Sequence, residues 1–375
     1  MPTKKRIAFV ANTSWGIYKF RLYLIKKLIA GGYSVFVLAP RDRYTDEFSE
    51  LPGLTYIELI KFRSKSISPF YDLQLYKELR HHYRTIRPHL IFHYTIKANI
   101  FGSLAASRVG CPTVSVITGL GYAFSQNKLL QKVAKILYRR SLQKNEEVWF
   151  LNRDDQAIFV DAGLIRKDKT FVLPGEGVDA EAFTPAPYTP RDGEVTFLLI
   201  ARMIRHKGIL EFVRAAEILK SRGLRAQFQL LGFFDEGNPV ALSRQQVEEW
   251  AKEKKIDYLG STDHVAPFIE QADCVVLPSY REGMPFSLLE GASMCKALIA
   301  TDTAGCRDLI ADGVNGYLCK VKDGEDLAEK MGRYVQLSAA DKRQMGVEGR
   351  ALITGQYTKE IVTGIYLDKL NTLLT

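Results

Sequence analysis

The chain has 375 residues, 46% apolar and 25% charged, with 28 Gly and 14 Pro, a composition that excludes collagen-like, coiled-coil and disordered classes. Its formal charge of +10 is uneven: residues 1–180 carry 28 Lys and Arg against 15 Asp and Glu, the remainder 24 against 27. A basic first part beside a near-neutral second part points to an anionic partner for the first, whether nucleic acid, an acidic membrane surface or a phosphorylated substrate.

In chain order, short apolar runs alternate with longer amphipathic stretches. Strands are predicted at Arg6–Ala11, Ser34–Ala39, Leu54–Leu59, His89–His93, Thr113–Thr118, Glu147–Leu151 and Thr170–Leu173, with helical patterns near 18–30, 70–86, 97–109, 128–144 and 153–163. Nearly continuous, β-branched strands between helices argue for a parallel sheet covered on both faces. The proline-rich stretch 174–193 breaks the rhythm and reads as the end of one domain plus a linker. Alternation then resumes with strands at Val195–Ala201, Gln227–Leu231, Ile256–Leu259, Cys274–Leu277, Leu298–Thr301 and Gly316–Leu318. Helical patterns lie near 208–222, 243–254, 286–294, 304–311, 324–336 and 338–353, and a last amphipathic helix runs from Lys359 to Leu374. The expected fold is α/β, two doubly wound Rossmann-like domains facing across a cleft. The expected divisions are 1–180, a linker at 181–193, 194–356, and a C-terminal helix at 357–375 returning to the first domain. In such sheets ligands bind beyond the carboxyl ends of the strands.

The apolar stretch Ile7–Ala11 is too short for a signal peptide, and no window approaches the roughly 18 apolar residues of a membrane span. A soluble or peripheral protein is expected. Five Cys, an odd number without C-x-x-C, argue against a disulfide or zinc framework and fit a reducing compartment.

The motifs fall where the topology asks for them. SYREGMPFSLLE, Ser279–Glu290, directly follows the strand Cys274–Leu277. Gly283 permits a tight turn and Pro285 suits a helix start. A helix N-terminus there would offer N–H groups to anions or hydroxyls, with Glu282 at the turn and Glu290 within the helix. The spacing itself is shared by Glu50 and Glu58, so surface glutamates are the competing reading; the strand–Gly–Pro–helix setting favours a ligand role. ARMIRHKGI, Ala201–Ile209, places Arg202 and Lys207 after another strand, where two cations suit a diphosphate or form a solvated basic loop. ANTSWGIYKFRL puts Gly16 after the first strand, and TGLGYAF, 118–124, follows a later one as a candidate acceptor-side loop. There is no D-x-D, P-loop or G-x-S-x-G, and the six His lack metal-site spacing. Lys128, Lys132, Lys135 and Arg139 form one stripe of an amphipathic helix whose apolar face is read as Leu130, Val133, Ala134, Leu137 and Tyr138. With Lys61, Arg63, Lys65, Arg80, Arg84 and Arg87 in the same domain, the stripe fits an anionic membrane surface; a solvated face of a core helix is the alternative.

Taken together, these segments resemble retaining glycosyltransferase family 4, of GT-B fold. SYREGMPFSLLEGASM resembles its E-x7-E signature and ARMIRHKG its R-x4-K segment. PGEGVDAEAF resembles its N-G-V-D-x-x-x-F hinge, with Glu176 in the Asn place. AGCRDLIADGVNGYL resembles its G-G-x-x-E block, with Cys306 and Asp308 replacing Gly and Glu. NTSWGIYKFRLYLIKKL and VITGLGYAF are similar to the family's undecaprenyl-diphosphate-linked sugar transferases.

The resemblance implies a UDP-sugar donor (HexNAc, GalNAc foremost, or hexose), a polyprenyl-diphosphate-linked sugar acceptor, and no metal or other cofactor. It implies an acceptor-binding first domain and a nucleotide-sugar-binding second one. Arg202 and Lys207 would bind the diphosphate and stabilise departing UDP, Glu290 the ribose hydroxyls, and Glu282 a hydroxyl of the transferred sugar. The amides of Gly283, Met284, Pro285 and Phe286 would mark the sugar's position, and Gly16 would approach the diphosphate. On the acceptor side Thr118 and Gly119 stand where the family often has His, with His93 or Lys97 as substitutes. Location on the cytoplasmic face of a membrane follows. Negative charge building on UDP would be met by fixed cations, the acceptor hydroxyl attacking from the leaving-group face with retention. The competing readings are a UDP-sugar epimerase on the same architecture and a nucleic-acid-binding protein, for which no recognition motif is present.

Overall fold

The computed structural model describes residues 4–64, 66–120, 128–186, 194–235 and 237–374; the side chains of 128–130 fall outside that description. The chain divides into two compact units, Met1–Gly177 with Lys359–Thr375, and Val178–Thr358. The sequence places the divisions at 180 and 357.

The first unit holds β1 (Arg6–Val10), β2 (Ser34–Ala39), β3 (Leu54–Glu58), β4 (Leu90–Tyr94), β5 (Thr113–Ile117), β6 (Glu147–Phe150) and β7 (Thr170–Val172). They form one sheet in the order β3-β2-β1-β4-β5-β6-β7, and every pairing is parallel. β4 and β5 are buried throughout, as expected of strands covered on both faces. The terminal helix Lys359–Leu373 packs on this unit: Tyr366 meets Trp149 at 4.8 Å and Phe92 at 5.3 Å between ring centroids, and its hydroxyl lies 3.1 Å from that of Tyr94. Burying side chains of this size stabilises by roughly 1.5–3 kcal/mol each, enough to hold the helix on the sheet.

The second unit holds β8 (Val195–Ile200), β9 (Ala226–Leu231), β10 (Asp257–Tyr258), β11 (Cys274–Leu277), β12 (Ala297–Thr301) and β13 (Gly316–Cys319). Their order is β10-β9-β8-β11-β12-β13, again parallel throughout. In each sheet the order reverses beside the unit's first strand, between β1 and β4 and between β8 and β11. Those are the switch points where ligand crevices open in doubly wound sheets.

Three elements differ from expectation. The helix expected at 97–109 opens as a wide π-turn, Ala98–Gly102, before the α-turn Ser103–Ser107. A Cβ on Gly102 would lie 2.5 Å from the His93 ring, so that ring occupies the space of a side chain. The stretch expected as helix at 304–311 is a series of turns. There Asn315 takes the backbone groups a helix would use, accepting from the Ala311 N–H and donating to the Leu309 carbonyl, both at 2.8 Å. The opening of the stretch read as linker is anchored: Asp179 accepts from the Ala182 N–H at 3.0 Å, and Ser293 and Arg350 donate to the Phe183 carbonyl. Residues 187–193 lie outside the described residues.

Candidate active site

In the second unit, three adjacent strand ends are tied into one edge. Two residues past β8 stands Arg202; the chain then makes a 3-10 turn, Arg205–Lys207, and enters helix Ile209–Ser221 through Gly208. Gly208 has φ +72°, and a Cβ there would fall 1.9 Å from the Pro278 carbonyl oxygen just after β11. Only glycine lets these two loops touch. The His206 carbonyl accepts from the Tyr280 N–H and the Ser279 hydroxyl, both at 2.9 Å. From β12, Thr301 donates to the Ser279 carbonyl and Thr303 to that of Tyr280. Gly305, φ +75°, lies so close to the Gly283 carbonyl that a Cβ would sit 2.5 Å from it. The bend at Glu282–Gly283 is therefore braced from both sides.

That edge carries the charges. Lys207 Nζ lies 2.5 Å from Glu282 Oε1, both side chains mostly buried, and this contact joins the loops after β8 and β11. Arg202 is half exposed and donates to Asp235 Oδ2 at 3.1 Å. Helix Phe286–Ser293 begins after Pro285, which occupies the N-cap, one place before the first helical position. Glu290 lies more than one turn inside the helix and is buried. Gly283 and Pro285 are buried, with Met284 and Phe286 half-buried beside them. Behind this edge the Tyr280 hydroxyl donates to Glu211 at 2.8 Å; burial first, and that carboxylate second, push the phenol pKa up. Two cations, the Glu282 carboxylate and a helix N-terminus thus share one strand-end surface, with Glu290 buried within that helix, an arrangement able to hold an anion and hydroxyl groups together.

The residues proposed in the first unit fare differently. Gly16 sits in the first turn of helix Ser14–Ala30, its N–H donating to the Thr13 hydroxyl at 3.1 Å. Thr118 and Gly119 follow β5 and are half-buried; residues 121–124 of the same loop lie outside the described residues. His93 must be withdrawn as an acceptor contact. It is wholly buried within β4, with Nε2 2.8 Å from the Tyr83 hydroxyl and Nδ1 3.4 Å from that of Ser103. Burial lowers its pKa to about 3. Lys97 is mostly buried, and its ammonium pairs with Asp72 at 2.7 Å. In helix Lys128–Leu142, Lys132 and Arg139 are exposed and Lys135 half-buried. Val133 is exposed, contrary to its place on the expected apolar face; Ala134, Tyr138 and Leu142 carry the packing. The side chains of Lys128 and Leu130 lie outside the described residues.

Sequence reasoning missed several groups. Arg21 and Glu176 form a buried ion pair, with the guanidinium carbon 3.8 Å above the Tyr94 ring. Burial pushes the Glu176 carboxyl up against the pull of Arg21. This partner accounts for a carboxylate in the Asn place of the hinge segment. Asp235 is also new, and Gly305, part of the segment AGCRDLIADGVNGYL, shows its role only through its close approach to the Gly283 carbonyl. Thr95, just after β4, has φ +71° and a buried hydroxyl without a hydrogen-bond partner among the described residues, a strained geometry that a β-branched residue does not announce.

Two α/β units, each a parallel sheet, with cations and carboxylates gathered at the strand ends of the second, define the class: a glycosyltransferase of GT-B fold. The chain belongs to the glycosyltransferases. Residues 194–336 match the family described as Glycosyl transferases group 1, and 16–176 the Glycosyl transferase 4-like domain. It is 30% identical to the N,N'-diacetylbacillosaminyl-diphospho-undecaprenol alpha-1,3-N-acetylgalactosaminyltransferase of Campylobacter jejuni, over 96% of this chain and 97% of that one. It is 26% identical to the UDP-Gal:alpha-D-GlcNAc-diphosphoundecaprenol alpha-1,3-galactosyltransferase of Escherichia coli, over 62% of this chain and 63% of that one. Among solved structures, a Rickettsia africae glycosyltransferase superposes with TM-score 0.80 at 19% identity, covering 100% of this chain and 99% of that one. Anabaena HepE in complex with UDP-glucose superposes with TM-score 0.77 at 17% identity, covering 98% and 99%. Among the described residues no helix is long and apolar enough to cross a membrane.

Proposed function

We propose that the protein is a retaining glycosyltransferase that moves a sugar, GalNAc foremost, from a UDP-sugar to a polyprenyl-diphosphate-linked acceptor during glycan assembly. The observation that carries this reading is the Lys207–Glu282 contact at 2.5 Å, which joins two strand-end loops beside the buried Glu290. The donor diphosphate lies against Arg202 and Lys207. An ammonium has three donors, so Lys207 can keep Glu282 and take a phosphate oxygen as well. Glu290 accepts from the ribose hydroxyls and Glu282 from a hydroxyl of the transferred sugar, which rests over Gly283–Phe286.

As the anomeric bond loosens, charge accumulates on UDP, and cations already fixed by the loop geometry stabilise it without reorganising. Arg202 and Lys207 supply that charge in place of a metal ion. The acceptor hydroxyl attacks from the leaving-group face and passes its proton to a donor phosphate oxygen. Retention is supported by the alpha-1,3 linkages named for the Campylobacter jejuni and Escherichia coli enzymes, and their diphospho-undecaprenol names support the acceptor class. Gly16, Thr118 and Gly119 belong to the acceptor-binding unit. The exposed Lys132 and Arg139 support a peripheral position on the cytoplasmic face of the membrane.

The test is a donor screen with purified protein, EDTA and a short-chain polyprenyl-diphosphate sugar, reading nucleotide release and product mass. Acceptor-dependent UDP release with a mass gain of one sugar is expected, strongest with UDP-GalNAc. Conversion of a UDP-sugar without acceptor would instead indicate an epimerase.

A further inference from the structure

The segment between β3 and β4 exposes apolar side chains that the active-site reading does not use. Ile60, Ile67, Phe70 and Leu73 are 64%, 79%, 63% and 51% exposed. Scattered singly, such residues are ordinary; gathered within 14 positions they mark an interaction surface.

Helix Pro69–Ile86 turns Leu75, Leu79, Tyr83 and Ile86 to the core. At 100° per residue, Phe70 and Leu73 fall on the opposite, outward side, and so do Lys77, Arg80 and Arg84 further along. The outward stripe therefore begins apolar and continues basic. The preceding loop is held to the helix flank, because Glu78 accepts from the Ile60 and Lys61 N–H groups, both at 3.0 Å, and Phe62 is buried. Ile67 adjoins the apolar start of the stripe in the chain, while Ile60 is held further along the helix, at Glu78.

Charge decides what covers this surface. From Leu59 to Arg87 there are seven Lys and Arg and two carboxylates, Asp72 and Glu78. Both carboxylates are committed to the protein, Asp72 to Lys97 at 2.7 Å and Glu78 to the loop amides. The stripe itself presents no acid to oppose an anionic partner. An apolar tip followed by cations on one face is the pattern that lies in a bilayer interface, with the tip among the acyl chains and the cations against acidic headgroups.

We infer that Ile67, Phe70 and Leu73, at the start of helix Pro69–Ile86, form a membrane-inserting edge, seated in an anionic lipid surface and oriented by the cations further along that helix. It is a different element from helix Lys128–Leu142, which also bears exposed cations. The inference rests on the reading of a lipid-linked acceptor only for its purpose, since binding to lipid is measurable without substrate.

The experiment is flotation of the full chain with phosphatidylcholine vesicles, with and without phosphatidylglycerol. Wild type is compared with Ile67→Ser/Phe70→Ser and, as a matched control, Val133→Ser/Ile136→Ser, all four positions being exposed. Circular dichroism and sedimentation velocity establish fold and oligomeric state. The edge variant is expected to lose about tenfold in partitioning to the anionic vesicles while folded and while turning over a short-chain soluble acceptor at the wild-type rate. Equal partitioning of wild type and edge variant, or a loss confined to the control, would overturn the inference. So would a wild-type dimer that the edge variant abolishes together with unchanged vesicle binding. Wild-type protein that binds vesicles through the edge but transfers no sugar would instead count against the acceptor reading alone.

Discussion

The two units share an architecture and use their polar residues in opposite ways. In the second, charged side chains stand just beyond the strand ends, on loops clamped by Gly208 and Gly305, and their contacts lie at the surface edge. In the first, three of the polar groups near the corresponding edge are turned inward. His93 is sealed between Tyr83 and Ser103, Arg21 is spent on Glu176 and Lys97 on Asp72. His93, one place inside β4, serves the core, whereas Arg202, two places beyond β8, is half exposed. Under the proposed function the first unit's interior polar network serves stability and the second unit's edge serves chemistry, and substitutions should separate the two.

The largest effect is expected from breaking the buried pair. Arg21→Leu strands the Glu176 carboxylate and should destabilise the first unit by roughly 3–5 kcal/mol, read from its urea midpoint. The double variant Arg21→Leu/Glu176→Leu should recover most of that loss, and no recovery would mean the pair is not what fails. At the other edge, Lys207→Ala should lower kcat/KM by about a hundredfold and lower the urea midpoint by less than Arg21→Leu does, since Glu282 keeps more solvent contact than Glu176. Ordinary turnover in the folded variant would assign Lys207 to structure.

A pH series sharpens the same contrast. His93 titrates near 3 in the folded protein against an ordinary value near 6.5, so below pH 6.5 the unfolded chain takes up a proton that the folded one refuses. Stability is full above that value and falls as pH drops toward 3, by about 2 kcal/mol at pH 5. His93→Gln should remove this increment from the pH dependence of the first unit's unfolding, and an unaltered slope would show that other groups cause it. The smallest effect is expected for Arg202→Lys. Arg202 is half exposed beside Asp235, and replacing its planar fork by a point charge should cost about tenfold in kcat/KM, with little change in Kd for UMP, which lacks the second phosphate.

Much of the fold was legible because parallel strands, buried on both faces, leave apolar runs that stand out against helical periodicity. The edge of the second unit was legible for the same reason: Arg202 and Lys207 lie on the loop after β8, Glu282 on the loop after β11 and Glu290 in the helix that this loop enters. Legibility ended where a side chain's partner is distant in sequence. Nothing local tells that Arg21, in a basic helix, will meet Glu176, or that His93 points into the sheet's packing rather than out of its end. The turns at 304–311 read as helix because Asn315, several residues on, supplies hydrogen bonds that the local pattern cannot reveal. Val133 read as core because helix Lys128–Leu142 has two apolar flanks and only one is covered.

The central claim is that the nucleotide-sugar sits on the second unit's strand-end surface. Calorimetric titration of UDP into wild type, Lys207→Ala, Glu290→Ala and His93→Gln tests it most directly. Saturable binding that weakens by about tenfold or more in the first two variants, and is unchanged in the third, is the expected result. Wild-type affinity in Lys207→Ala and Glu290→Ala alike would contradict the assignment.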